Sequence, residues 1–217
     1  MENGILYIVA TPIGNLSDIT FRAIETLKVV DAILCDDTRE TKKLLSHFNI
    51  VKPMMSLHQH STPEKVDALL QKYANVAYVS DAGTPGISDP GNKIVSRAVL
   101  LGKRVEPIPG ACAVIAGLSV SGLPTDKFLF LGFMPHKGKT KIFETIKNSD
   151  YTVCFYESPH RVLKTLLEMK NFVTGRNIVV GRELTKKFES IYRGNIDEVI
   201  EQVKDKQKGE FVVIVGC

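Results

Sequence analysis

The chain has 217 residues, 44% apolar and 24% charged, enough for one large or two small packed domains and too apolar for wholesale disorder. Its 28 lysines and arginines against 24 aspartates and glutamates leave a net charge of +4, which permits an anionic partner without demanding one. No apolar run reaches bilayer-spanning length, Met1-Glu2-Asn3 is an acidic start unlike a signal peptide, and the cysteines (Cys35, Cys112, Cys154, Cys217) fit neither a metal-ligand spacing nor a disulfide framework. A cytoplasmic protein with no membrane contact and no metal is the expectation.

In chain order, Leu6–Ala10 is a short apolar run stopped by Thr11-Pro12-Ile13-Gly14, the pattern of a buried strand ending in a tight turn. Phe21, Ile24 and Leu27 follow at helical spacing. Ala32–Cys35 reads as a strand before Asp36-Asp37, and Leu44, Leu45 and Phe48 as another helix face. Thr62-Pro63 supplies a cap with proline at the first helical position, ahead of Val66, Leu69, Leu70 and Tyr73. Val76–Val79 is a strand leading into Ser80–Gly91, a loop with Gly83, Gly86, Pro85 and Pro90 flanked by Asp81 and Asp89. Ile94, Val95, Ala98 and Val99 form a helix face, Val105–Ile108 a strand that closes at Pro109-Gly110, and Ala113–Leu118 a buried helix. This alternation of strand and helix predicts a mainly parallel, helix-covered sheet.

The second half carries more strands than helices. Phe128–Met134, Tyr151–Glu157, Asn177–Leu184, Glu189–Arg193 and Glu210–Val215 read as strands. Helix faces sit at Ile142/Phe143/Ile146, at Val162/Leu163/Leu166/Leu167, and at Ile196/Val199/Ile200/Val203 behind a capping box of Asn195 and Glu198. Glu189–Arg193 follows its predecessor too closely for a helical crossover, so a mixed sheet is predicted. The turn Ser121–Thr125 sets the expected boundary between an N-terminal α/β domain, 1–122, and a C-terminal α/β domain, 123–217.

In open α/β sheets ligands bind beyond the carboxyl ends of the strands, and here those ends are the glycine-proline loops. Glycine admits close approach of main chain to ligand, and proline leaves little ordering entropy to lose. The phosphate-loop lysine signature and the dinucleotide fingerprint are both absent, so the residues alone point to a small nucleotide-like ligand in an α/β cleft.

Several ordered segments together carry a resemblance. They are Ile8–Leu16 with Asp18-Ile19-Thr20, Asp37-Thr38-Arg39, Ser80–Pro85 with Ile87–Gly91, Pro109–Ala113, Gly132–Pro135, Tyr156–Arg161, and Arg182–Lys186 with Phe188-Glu189. The chain resembles, over nearly its whole length, the S-adenosylmethionine-dependent family that methylates the 2′-oxygen of a cytidine ribose in small-subunit (16S) ribosomal RNA, within the tetrapyrrole-methylase-like class. The resemblance implies a two-domain tetrapyrrole-methylase-like fold, S-adenosylmethionine in the cleft between the domains, ribosomal RNA or the small ribosomal subunit as partner, and a homodimer. By matched position it implies donor contacts at Pro12, Ser80, Asp81, Gly83, Ile87, Cys112, Ala113, Tyr156 and Thr185.

Methyl transfer to a ribose hydroxyl needs collinear alignment and a base for the departing proton. Asp36, Asp37, Glu157, His160 and Glu183 are candidates, and the Glu157–Arg161 segment, with Glu157, His160 and Arg161, is the favoured catalytic set. There Ser158 is expected to cap and Pro159 to open a helix; the plainer alternative is that Glu157 pairs with Arg161. Phosphate contacts are expected from Arg39, Lys42, Lys137, Lys139, Arg182 and Lys186, all on loops bordering strand ends. Two other readings stay open: a methyltransferase of the same fold acting on a tetrapyrrole precursor, and a catalytically silent RNA- or nucleotide-binding module.

Overall fold

In a computed structural model the chain divides by its internal contacts into two units, Met1–Cys112 and Ala113–Cys217. The structure describes residues 4–58, 60–89 and 91–217; the Met1-Glu2-Asn3 start and Pro90 lie outside the described residues.

The first unit holds β1 (Ile5–Val9), β2 (Ala32–Cys35), β3 (Met54–Ser56), β4 (Asn75–Val79) and β5 (Arg104–Ile108) in the order β3-β2-β4-β1-β5. Every neighbouring pair is parallel. Successive side chains of a strand face opposite sides, and here both sides are covered. Ile33, Cys35, Ala77 and Val79 meet Ala23 and Leu27 of α1 (Phe21–Val29) and Leu45 of α2 (Thr38–His47). Ala32, Leu34, Val76 and Tyr78 meet Val66 and Leu70 of α3 (Pro63–Lys72) and Ile94 and Ala98 of α4 (Gly91–Leu100). Burial of each large apolar side chain is worth about 1.5–3 kcal/mol, so the two apolar layers fix the strand faces.

Thr62 caps α3 as expected, its side chain accepting from the Lys65 N–H. Phe21 departs from expectation: it is 88% exposed, and the buried stripe of α1 is Ala23, Thr26 and Leu27. Thr20 caps that helix, so Phe21 is its first residue and precedes the turn that reaches the sheet. Strand β3 was not expected, because three residues give no readable period.

The second unit contains α5 (Ala113–Ser119), β6 (Phe128–Phe133), α6 (Lys139–Lys147), β7 (Thr152–Glu157), α7 (Val162–Met169), β8 (Ile178–Arg182), β9 (Ser190–Gly194), α8 (Ile196–Val203) and β10 (Phe211–Val215). Its sheet runs β6-β7-β10-β8-β9, parallel between β6 and β7 and antiparallel elsewhere, which is the mixed sheet expected. Central β10 is buried throughout. Phe143, Ile146, Val162, Leu166, Val199 and Val203 from α6, α7 and α8 share one core with Val153, Phe155, Ile178, Val180 and Val213.

Helix α5 packs on β7 and β10, so the contact division precedes it, whereas the turn Ser121–Thr125 follows it. Local punctuation marks that turn, and nothing local reveals that α5 meets a strand some hundred residues later in the chain. Helix α7 also differs from expectation. Residues 159–161 form a turn, the helix opens at Val162, and the Ser158 carbonyl accepts from both Arg161 and Val162 N–H.

Candidate functional site

Because the first sheet is wholly parallel, the chain leaves all five of its strands at one edge. The loops after β1, β4 and β5 are locked to each other there. The Thr11 N–H donates to the Gly83 carbonyl at 2.9 Å, and the Gly83 N–H returns to the Thr11 carbonyl at 3.2 Å. Thr84 Oγ1 donates to the Ala111 carbonyl at 2.9 Å, tying the β4 loop to the β5 loop. Gly83 has φ +80°, and a Cβ there would lie 3.2 Å from Ile13 Cγ2 and 3.5 Å from the Ala111 carbonyl oxygen. Only glycine meets both conditions without strain. Within the long loop, Asp89 Oδ1 accepts from the N–H groups of Gly86 and Gly91, both at 2.7 Å, drawing the two glycines together.

This edge is acidic. Asp36 accepts from Tyr78 OH at 2.6 Å, and Asp81 Oδ1 accepts from the Asp37 N–H at 3.1 Å. Burial pushes the Asp36 carboxyl up to about 6, with the Asp89 and Asp81 charges adding to the rise and the Tyr78 hydrogen bond opposing it. Asp81 is exposed at the surface, and partial desolvation by the surrounding loops, with the Asp37 and Glu40 charges, still raises its carboxyl. Asp37 behaves oppositely: it caps α2 through the Arg39 N–H and binds the Arg39 guanidinium, which holds its carboxyl down at about 2. Neighbouring carboxylates that raise Asp36 favour a cation placed among them.

The second unit presents a different constellation where β7 turns into α7. Glu157 is 1% exposed. Its Oε1 accepts from the Ser158 N–H at 2.7 Å and pairs with Arg161 Nη2 at 2.7 Å. Its Oε2 accepts from Thr165 Oγ1 at 2.6 Å. Lys139 Nζ donates to Thr165 Oγ1 and to Glu168 Oε2, each at 2.9 Å. A buried carboxylate is tolerated on these terms, with a counter-charge and hydrogen bonds on both oxygens.

The tetrapyrrole (corrin/porphyrin) methylase family matches residues 5–200 of the sequence. The chain is 48% identical over 220 residues to ribosomal RNA small subunit methyltransferase I of Bacillus subtilis, covering 99% of this chain and 75% of that protein. A protein of the same name from Halalkalibacterium halodurans is 46% identical over 221 residues, covering 99% and 76%. The chain belongs to the ribosomal RNA small subunit methyltransferase I family of tetrapyrrole methylases. The fold agrees: the structure of uroporphyrin-III C-methyltransferase from Thermus thermophilus complexed with S-adenyl homocysteine has TM-score 0.67 at 19% identity, over 98% of this chain and 97% of that one.

In this methylase, Pro12, Ser80, Asp81, Gly83, Ile87 and Cys112 all lie in the loops at the carboxyl edge of the first sheet. Pro12, Ser80 and Gly83 are buried, while Asp81 and Ile87 are exposed. Ala113 opens α5 in the second unit. Tyr156 sits between Phe130 and Phe133 with ring centroids at 4.9 and 5.3 Å, and its hydroxyl accepts from the Val114 N–H at the start of α5. Thr185 has φ +66° and a buried Oγ1 without a hydrogen-bond partner among the described residues.

The expected phosphate-binding cations differ in what holds them. Lys42 and Lys137 are exposed. Arg39 is exposed and pairs with Asp37, Lys139 is buried beside Thr165 and Glu168, Arg182 donates to the Lys208 and Phe188 carbonyls, and Lys186 pairs with Glu183 and Glu210. His160 is exposed in the turn before α7. Sequence reasoning missed Tyr78 as the partner of Asp36, since an aromatic inside a strand reads as core, and missed Thr165 and Lys139 as the supports of Glu157.

Proposed function

We propose that the chain transfers a methyl group from S-adenosylmethionine to the 2′-oxygen of a cytidine ribose in small-subunit (16S) ribosomal RNA, as a cytoplasmic homodimer. The observation that carries this reading is the acidic, backbone-locked loop cluster of the first unit in a chain of this family. The donor is a sulfonium with an ammonium group and a ribose diol, and the residues present fit it. Asp36, Asp81 and Asp89 supply negative charge at the edge, the Asp81 carboxylate accepts from hydroxyl or ammonium groups, and exposed Gly86, where a Cβ would meet nothing nearer than 3.9 Å, leaves main chain approachable. S-adenosylmethionine, when bound, supplies the electrophilic methyl group.

What remains for the protein is to align the hydroxyl and take its proton. Four of the candidate bases are committed elsewhere or poorly placed. Asp37 caps α2, Glu157 is fully engaged, Glu183 binds Lys186 and the Glu210 N–H, and His160 stands exposed in a turn. Asp36 is supported instead, because its carboxyl is raised to about 6, near the working pH, and it lies at the same edge as the donor loops.

Incubation with methyl-labelled donor and small subunits lacking the modification tests the reading. Label in ribosomal RNA at a cytidine ribose supports it. Label in a corrinoid precursor but not in RNA would transfer the assignment to tetrapyrrole chemistry, and donor binding without turnover would make the chain a binding module.

A further inference from the structure

The second unit contains a cavity of about 510 Å³ that the proposed transfer does not use. It lies where α6 and α7 begin, and Lys137, Lys139, Arg161 and Lys164 line it against a single carboxylate, Glu168. That carboxylate is already taken, at 2.9 Å by Lys139 and at 3.8 Å by Lys164. The lining is therefore cationic beyond what its own acid can neutralise. Phe143 and Phe172 complete the wall, and an ion beside apolar surface is screened less than one in open water.

Arg161 is the most informative member. Its Nη2 is paired with Glu157 at 2.7 Å and its Nε donates to Ser158 Oγ at 3.0 Å, so the guanidinium is fixed in place. Its Nη1 is buried and has no hydrogen-bond partner among the described residues. A guanidinium donor left unpaired in a folded protein carries a desolvation cost that an incoming oxyanion removes, and Nη1 is the nitrogen left over once Glu157 and Ser158 have taken Nη2 and Nε. Lys139 is fixed too, through Thr165 and Glu168, so little side-chain entropy is lost when an anion enters.

We infer that this cavity anchors a backbone phosphate of the substrate RNA, with Arg161 and Lys139 as its fixed cations and Lys137 and Lys164 closing from exposed positions. The inference rests on RNA being the substrate. It assigns phosphate recognition to the α6–α7 corner of the second unit rather than to Lys186, which two carboxylates, Glu183 and Glu210, already hold.

The test is fluorescence-anisotropy binding of small-subunit RNA over a range of salt concentrations, with wild type, Lys137→Glu/Lys164→Glu and Lys28→Glu/Lys72→Glu, alongside calorimetric binding of S-adenosylhomocysteine. Lys28 and Lys72 are exposed residues near the ends of α1 and α3, and reversing both matches the charge change of the double variant. The double variant is expected to bind RNA about tenfold or more weakly, with a salt slope shallower by about one, while donor-product affinity and thermal midpoint match wild type. Equal RNA affinity and slope for Lys137→Glu/Lys164→Glu and Lys28→Glu/Lys72→Glu would overturn the inference while leaving the methyltransferase reading intact. Wild-type protein that binds and methylates no RNA would remove that reading, and the inference with it.

Discussion

The Glu157 carboxylate, a catalytic candidate, sits among partners that also suit a structural role. Both oxygens are occupied, one by Ser158 and Arg161, the other by Thr165. Glu157→Gln keeps the shape but strips the counter-charge from Arg161, and breaking one side of such a buried pair costs about 3–5 kcal/mol. A urea titration should show that loss as a lower midpoint. An unchanged midpoint with abolished turnover would instead return Glu157 to the base role. The ion pair with Arg161 was the plainer alternative in the sequence, but Thr165 and Lys139 were invisible as its supports, because their approach depends on how α6 and α7 pack. Asp36 carries the complementary prediction. As the base it must be ionised, so kcat/KM should rise with pH through about 6, and Asp36→Asn should slow turnover and flatten that rise. The same shift acts on stability with the opposite sense: the folded state holds this proton more tightly than the unfolded chain, so the contribution is full below about 4 and lost as pH rises through about 6. A pH–rate profile with no step near 6 would contradict the assignment.

At the scale of elements, apolar runs and caps were legible where they were local. Strands β1, β2, β4 and β5 and the cap of α3 emerged from runs ended by proline, glycine or aspartate, and the Asn195–Glu198 capping box is formed as expected. Asn195 Oδ1 accepts from the Asp197 and Glu198 N–H groups, both at 3.0 Å, and Glu198 Oε2 accepts from the Asn195 N–H at 2.9 Å. Asn195→Ala removes the first pair and should cost about 1 kcal/mol, seen as a lower denaturation midpoint at unchanged m-value. A neutral substitution would mean that α8 is held by its buried Ile196, Val199 and Val203 alone. The elements that escaped reading did so for physical reasons. Strand β3 is three residues long, and α7 starts late because Ser158–Arg161 folds into a turn that Glu157 and Arg161 close from both sides.

For the molecule as a whole, one sheet is entirely parallel and the other mixed, and the strand spacing in the sequence already separated them. The parallel sheet is what gathers loops far apart in sequence at one edge. Thr11 and Gly83 meet through paired main-chain hydrogen bonds, and Thr84 reaches Ala111, which no local pattern could reveal. Among the described residues no helix is long and apolar enough to cross a membrane, and no three metal-binding side chains cluster. A chain with net charge +4 nonetheless concentrates aspartates at this edge and lysines around the α6–α7 cavity, a distribution suited to a cationic donor and a polyanionic acceptor. The central claim is that the first-unit loops grip the methyl donor. Calorimetric titration of wild type and Asp81→Ala with S-adenosylhomocysteine tests it most directly. A loss of about tenfold or more in affinity, about 1.4 kcal/mol, at an unchanged thermal midpoint is the predicted result, and equal affinity in the two proteins would contradict it.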